Sequence, residues 1–366
     1  MVGLLCQTLL YNAIWTPATI KRQEFCGSNT ILKLRYAISN SFWSLLKYIF
    51  LCLFKMDKYV VYADWIINGM PTEPYEFIKR LEKYDWTLIS LSRLDNKFFD
   101  DKKCIILCVT YREVNIAFLK TKNTVVIYKI DDLFPFFDIY AKCINACDYI
   151  IGSYTYLFST IPHVSLNTKQ SLWLLWSAVP EFYENINFNN DPVNKVLVSG
   201  AVSFHYPLRH FISTNSIFSE YIEILVHPGY VQDGRPFSHD IMRDRYYHKL
   251  NEYICCFCDS LLHKYIVPKV FEITSIGALL LAEDKIESVL NEIGFYNNIN
   301  CILCNKTNLL AKIRWILDDK NRSEVDIMRR NGMELTRDYH TTDNRIAKFN
   351  NFIDSIASAD KMTRFK

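Results

Sequence analysis

Glycine is scarce in this chain, with 10 residues in 366. None forms the G-x-G-x-x-G fingerprint that cradles a dinucleotide. A phosphate loop ending in Gly-Lys-Ser or Gly-Lys-Thr is also missing, which disfavours a hydrolysing nucleotide switch. The eight histidines include no H-E-x-x-H pair, so His205 and His210 make no case for a metal. No long Arg/Lys run occurs and the formal charge is only +3, so nucleic acid is not an expected partner. Met1 to Leu10 is apolar but lacks the basic start and small-residue cleavage pattern of a secretory signal. Neither internal repeats nor low-complexity segments are evident.

Cysteine is present but not dense. Twelve in 366 residues fall far below the usage of small disulfide scaffolds, so reduced thiols in a cytoplasmic compartment are expected. Cys104 and Cys108 are spaced for one strand face, and Cys143 and Cys147 for one helical face. Cys301 and Cys304 have metal-ligand spacing without a convincing second pair, so buried thiols are the reading there. Phe42 to Phe54 is strongly apolar but contains Lys47 and falls short of the roughly 20 residues a bilayer crossing needs. It is assigned to a buried helix, with peripheral membrane contact as the alternative and no transmembrane segment expected.

Hydrophobic residues make up 50% and charged residues 22%, a globular composition. The chain is longer than one core usually serves, so two domains are expected. Aromatics reach 15%, which suits carbohydrate-stacking surfaces and a dense core equally well. Apolar runs at Tyr59–Ala63, Trp86–Leu91, Cys104–Val109, Thr124–Lys129, Tyr149–Gly152 and Leu172–Trp176 read as strands. Most are separated by helical or loop stretches, the clearest being Glu73–Lys83. This is the rhythm of a parallel α/β sheet. The polar stretch Glu184–Asn194 interrupts it, and a second α/β series begins at Lys195–Ser199. The expected domains are 1–188, 189–342 and a helical segment, 343–366, that packs back on the first.

The most informative stretch runs from Val267 to Glu283. Pro268 suits the first turn of a helix, and Gly277 can close that helix in a left-handed conformation. Lys269 and Glu272 share one helical face, while Val270, Phe271, Ile273 and Ile276 supply packing. Ala278 to Ala282 then reads as a buried strand. The charged pair is suited to the hydroxyls and phosphates of a nucleotide. A surface salt bridge is the competing reading.

In α/β sheets, ligands bind beyond the carboxyl ends of strands. Gly200 follows the strand Lys195–Ser199 and lets backbone approach a ligand, and Arg209 carries a planar fork suited to phosphates. A structural role for that fork is equally open. His227, after the next strand, is placed to orient a phosphate or sugar hydroxyl, and Tyr230 to stack on a base or sugar. A turn forced by Pro228 and Gly229 is the alternative. Asp131 and Asp132 end the strand Thr124–Lys129. They offer carboxylates for acceptor hydroxyls, for a catalytic base, for a divalent ion, or merely for a helix cap. Asp64 lies at another strand end.

These motifs carry a resemblance. VLVSG at Val196–Gly200 with YPLR at Tyr206–Arg209, KVFEITSIGALLLAED at Lys269–Asp284 and RRNGMELTRDYHTTDNRIAKF at Arg329–Phe349 occur in family order. Over Lys195–Phe349 the chain resembles the nucleotide-binding half of GT-B glycosyltransferases, specifically the spore-maturation glycosyltransferase-like group. The first half resembles it loosely, through Lys129–Leu133 and Leu172–Tyr183. The resemblance implies two Rossmann-like domains facing across a cleft. A nucleoside-diphosphate sugar is the implied donor and a glycan or other hydroxyl compound the acceptor, with no bound metal or cofactor. By analogy Glu272 binds the donor ribose, Arg209 and Lys269 lie near the diphosphate, and Gly200 lines the cleft. Relatives often carry a second glutamate eight residues earlier; here that position is Lys264. The alternatives are an epimerase or hydrolase of similar shape, and a catalytically silent carbohydrate-binding or scaffold protein.

Overall fold

Two parallel sheets account for every strand among the described residues. The computed structural model describes residues 56–64, 66, 73–110, 116–131, 137–154, 171–227, 244–260 and 264–363. The expectations for Met1–Leu10, for Phe42–Phe54, and for Asp132 and Tyr230 lie outside these residues. The first sheet contains β1 (Asp57–Tyr62), β2 (Trp86–Ser90), β3 (Cys104–Val109), β4 (Thr124–Ile130), β5 (Tyr149–Gly152) and β6 (Ser171–Trp173). The second contains β7 (Val193–Ser199), β8 (Ile222–Leu225), β9 (Tyr253–Cys258), β10 (Leu279–Glu283) and β11 (Ile302–Cys304).

The strand orders are β2-β1-β3-β4-β5-β6 and β11-β10-β9-β7-β8. In both, the opening strand lies between the second and the third. Both sheets therefore reverse direction of growth at one point, between β1 and β3 and between β7 and β9. Such a reversal opens a crevice at the carboxyl ends of the two strands, where doubly wound folds hold ligands. The central strands are continuous apolar runs because both faces are covered: Cys104 to Val109 and Tyr253 to Cys258 are buried throughout.

Helices α1 (Glu73–Leu81) and α2 (Phe137–Ala146) belong with the first sheet, and α3 (Pro180–Tyr183) follows it in the chain and packs Phe182 and Tyr183 on Tyr247 of the second series. The second series adds α4 (Pro207–Thr214), α5 (Asp244–Asn251), α6 (Lys269–Ser275), α7 (Glu287–Glu292), α8 (Leu309–Leu317) and α9 (Arg322–Tyr339). The chain closes with α10 (Thr342–Thr363). That helix returns to the first sheet. Phe349 lies 5.8 Å from Phe77 and 5.4 Å from Trp86 between ring centroids, and Ile346, Ile353 and Ile356 join the same core.

The crossings between the sheets are bonded to each other. Ala178 donates its N–H to the His340 carbonyl at 2.9 Å and accepts the Thr342 N–H at 3.0 Å. The polar stretch before β7 is strapped to α9. Arg329 donates to the Asn189 carbonyl at 2.8 Å, Arg322 to Asn190 at 3.0 Å and Arg337 to Ile186 at 2.9 Å. Backbone carbonyls that no sheet partner satisfies are thus met by side-chain donors.

Most expected strands recur with shifts at their ends. Leu172–Trp176 shortens to β6 because Leu174 onward leaves the sheet toward the crossing at Ala178. Helix α4 and strand β11 are additions, both too short for a periodic signal. The YPLR motif opens α4, with Tyr206 at its N-cap and Pro207 in its first turn. Gly277 takes φ +75° after α6, with Phe188 and Met333 filling the space that a β-carbon would need. The nine described cysteines are free. Burial raises Cys147 and Cys301 to about 12, which makes them inert packing groups.

Candidate functional site

The crevice between β7 and β9 is where the second sheet meets its polar side chains. Strand β7 ends at Ser199, and Gly200 turns the chain with φ +97°. A β-carbon there would sit 2.7 Å from both Arg209 Nη1 and Lys269 Cε. Only glycine leaves room for the two basic side chains to converge on this turn. The sequence separates them by a whole βαβ passage, so their meeting is a product of the fold.

Arg209 lies in the first turn of α4 and is 1% exposed. Its Nη2 donates to Asp259 Oδ1 at 2.6 Å, its backbone N–H to Asp259 Oδ2 at 3.0 Å, and its Nη1 to the Ala201 carbonyl at 3.0 Å. The guanidinium carbon stands 4.1 Å from the Tyr206 ring centre. Burial raises the Asp259 carboxyl above its ordinary value, and the Arg209 charge opposes the rise. The fork thus holds the ends of β7 and β9 together; its Nε has no hydrogen-bond partner among the described residues. Glu283, at the end of β10, extends the polar floor by accepting from the hydroxyl of Ser260 at 2.6 Å.

Lys269 is less engaged. Its Nζ donates to the Tyr246 hydroxyl at 3.2 Å, and that hydroxyl lies 2.9 Å from Ser199 Oγ. Burial lowers the Lys269 ammonium, but Tyr246 and Glu272 outweigh it and hold its pKa above the ordinary value. Glu272, on the next turn of α6, makes no ion pair with Lys269 within 4.0 Å. Burial raises its carboxyl, with Lys269 offsetting part of the rise. Among the described residues, no side-chain bond engages the Glu272 carboxylate. A half-buried cation and a half-buried anion therefore sit side by side with hydrogen-bonding capacity left over. Surface pairs do not usually behave so, because water satisfies what the partner does not.

The other expected positions are more dispersed. His227 follows β8, one strand outward from β7, and is half-buried. Asp131 follows β4 in the first sheet and is also half-buried. Lys264 is exposed and holds φ 58°, a left-handed turn before the buried Tyr265. Asp64 accepts from the Ser90 hydroxyl, which lowers its pKa. Lys129 is buried, its Nζ 4.9 Å from the centre of the Trp176 ring.

Sequence reasoning missed Asp259, Ser199 and Tyr246. Asp259 had a usable signal: an acid directly after an unbroken apolar strand stands at a carboxyl end. Ser199 and Tyr246 had none, since serine and tyrosine are common and their partners are remote in the chain. Among the described residues no group of three His, Cys, Asp or Glu side chains is placed to hold a metal ion. No described helix is long and apolar enough to cross a membrane.

Solved structures supply the comparison. The chain is similar to Anabaena Alr3699/HepE in complex with UDP-glucose, at 10% identity and a TM-score of 0.56, over 81% of this chain and 99% of that one. The fold is GT-B. A glycosyltransferase from Rickettsia africae ESF-5 is similar at 10% identity and a TM-score of 0.51, over 82% of this chain and 98% of that one. HepE with UDP and glucose gives 0.53 at 9% identity. No family model matches the chain, and no curated protein matches it.

Proposed function

We propose that this protein is a glycosyltransferase that moves a sugar from a nucleoside diphosphate to a hydroxyl acceptor on a glycan or other biomolecule. The observation that carries the reading is the Lys269–Glu272 pair, adjacent, half-buried and with hydrogen-bonding capacity left over beyond the Lys269–Tyr246 bond, at the crevice where doubly wound sheets hold ligands. Glu272 accepts from the ribose hydroxyls, and Lys269 meets the diphosphate beside Gly200. As the sugar leaves, negative charge grows on the diphosphate, and the ammonium with nearby backbone N–H groups stabilises it. Arg209 supports the same turn from beneath, and His227 and Tyr230 flank the donor.

The second lobe, 189–342, is the donor domain in this reading. The first, 1–188, takes the acceptor, with 343–366 as a return helix. Asp131 and Asp132 are the candidates for the acceptor's base in an inverting route. In a retaining route the departing phosphate assists removal of that proton. The free thiols of the described residues suit a cytoplasmic enzyme, and the motifs at Val196–Gly200, Tyr206–Arg209 and Lys269–Asp284 resemble those of the spore-maturation glycosyltransferase-like group. The chemistry as drawn uses no metal.

The experiment is a thermal-shift screen of nucleoside-diphosphate sugars, followed by product analysis with and without acceptor. UDP-glucose comes first, because the similar Anabaena structure holds it. Binding to the native state raises the unfolding temperature. Transfer to an acceptor supports the reading. Sugar released or isomerised without acceptor would instead mark a hydrolase or epimerase, and donor binding without turnover a silent binding protein.

A further inference from the structure

We propose that Tyr246 is a positioning residue for Lys269, holding the ammonium at the Gly200 turn so that it meets a nucleoside diphosphate in a single orientation. The inference rests on the donor-site reading above and adds a residue that neither the motifs nor the comparisons assign.

A lysine ammonium only donates, so the Tyr246 oxygen accepts the 3.2 Å bond from Lys269. Burial raises the Tyr246 phenol, which therefore keeps its own proton. The hydrogen-bonding group next to it is Ser199 Oγ, 2.9 Å away, on a residue with no exposed surface. A relay thus runs from the last residue of β7, through α5, to the first residue of α6. Ser199 is fixed by the sheet, Tyr246 is fixed by Ser199, and the ammonium is fixed by Tyr246.

The arrangement differs from ordinary core packing. A tyrosine serving only as an apolar wedge has its ring as the working part, and its hydroxyl finds any carbonyl. Here the hydroxyl bridges two polar side chains, and Lys269 Cε fills the space beside Gly200 that a β-carbon would need. The lysine is therefore guided on both its stem and its head. A flexible four-carbon side chain so held loses little further freedom when a phosphate arrives. Only one of its three N–H groups is engaged by the described residues, which leaves two for phosphate oxygens.

Tyr246→Phe removes the hydroxyl and keeps the ring. Calorimetric titrations with UDP, GDP, ADP, CDP and dTDP, and with the matching nucleosides, test the inference. Phenylalanine is expected to weaken the bound diphosphate about tenfold or more, as loss of a charge-assisted contact does, and to leave its nucleoside unchanged. Ser199→Ala should act in the same direction and more weakly. In a Lys269→Ala background, Tyr246→Phe should add nothing, because its effect passes through the lysine.

A loss that is equal for diphosphate and nucleoside, or one that adds to Lys269→Ala, overturns the positioning role. So does unchanged affinity in a Tyr246→Phe protein whose wild type binds a diphosphate, and in that case the donor-site reading stands. A wild type that binds none of the five diphosphates overturns both.

Discussion

Arg209 and Asp259 make two bonds to each other inside the second lobe, one through the guanidinium at 2.6 Å and one through the arginine's own backbone N–H at 3.0 Å. Both residues are buried. The pair joins the first turn of α4 to the end of β9, the two sides of the crevice. A buried pair of this kind contributes little net stability over an apolar replacement, but losing one member strands a charge. Asp259→Asn should therefore cost about 3–5 kcal/mol in urea unfolding. Arg209→Lys keeps the charge but cannot reach both Asp259 and the Ala201 carbonyl with a planar fork. It should lose stability and lower turnover at saturating donor. Normal kinetics in a folded Arg209→Lys protein would show that the planar fork of Arg209 plays no part in turnover.

Glu272→Ala separates binding from folding. No side-chain bond among the described residues engages its carboxylate, so urea midpoints should move little. Calorimetric affinity for the correct nucleoside diphosphate should fall, each charge-assisted ribose bond being worth roughly 1.5–3 kcal/mol. Unchanged affinity would place Glu272 outside the donor site.

Gly200→Ala tests the convergence of the two basic side chains. The left-handed φ strains any other residue, and the new methyl meets Arg209 and Lys269 at 2.7 Å. The backbone alone should cost about 1–3 kcal/mol, and donor affinity should fall because Lys269 is displaced. Gly277→Ala is the control. Its strain is similar, but its methyl meets Phe188 at 2.8 Å, away from the crevice turn. Stability should drop there with donor affinity retained. Equal affinity losses in both variants would assign the Gly200 effect to general loosening.

His340 gives the protein an acid-sensitive joint. Its Nδ1 accepts from Arg345 Nη2 at 2.9 Å, which leaves Nε2–H to donate to the Ile293 carbonyl at 2.8 Å. Burial and the Arg345 charge lower its pKa from 6.5 to about 4. A histidine depressed in the folded state takes up its proton more readily when unfolded. Stability from this residue is therefore complete above pH 6.5 and falls as the pH drops from 6.5 through about 4. The loss should reach up to about 3 kcal/mol. Urea unfolding across that window should show the slope, and His340→Gln should flatten it whatever it does to stability at neutral pH.

Asp131→Asn and Asp132→Asn address the acceptor side. A catalytic base replaced by an amide should lose turnover by about 10²–10⁴ with donor binding intact. Near-normal transfer by both variants would return the pair to a strand-end or capping role.

Much of the fold was legible because buried parallel strands leave unbroken apolar runs. Cys104–Val109, Tyr149–Gly152 and Tyr253–Cys258 need no tertiary information to be read as strands. The Pro268-to-Gly277 segment was legible for a different reason, since proline and glycine mark helix ends through their own backbone limits. Helix α4 and strand β11 were not legible. Each is short, and its stability comes from the sheet it packs on rather than from its own pattern.

The sequence by itself determined two α/β series, the turn at Gly200, and the pairing of Lys269 with Glu272 on one helical face. Those features depend on residues close in the chain, where periodicity and backbone preference act directly. Strand order was decided only by the tertiary structure, and with it the crevice between β7 and β9. So were the partners Asp259 for Arg209 and Tyr246 with Ser199 for Lys269. Hydrogen bonds between residues dozens of positions apart leave no periodic trace, because what brings them together is the packing of whole strands and helices.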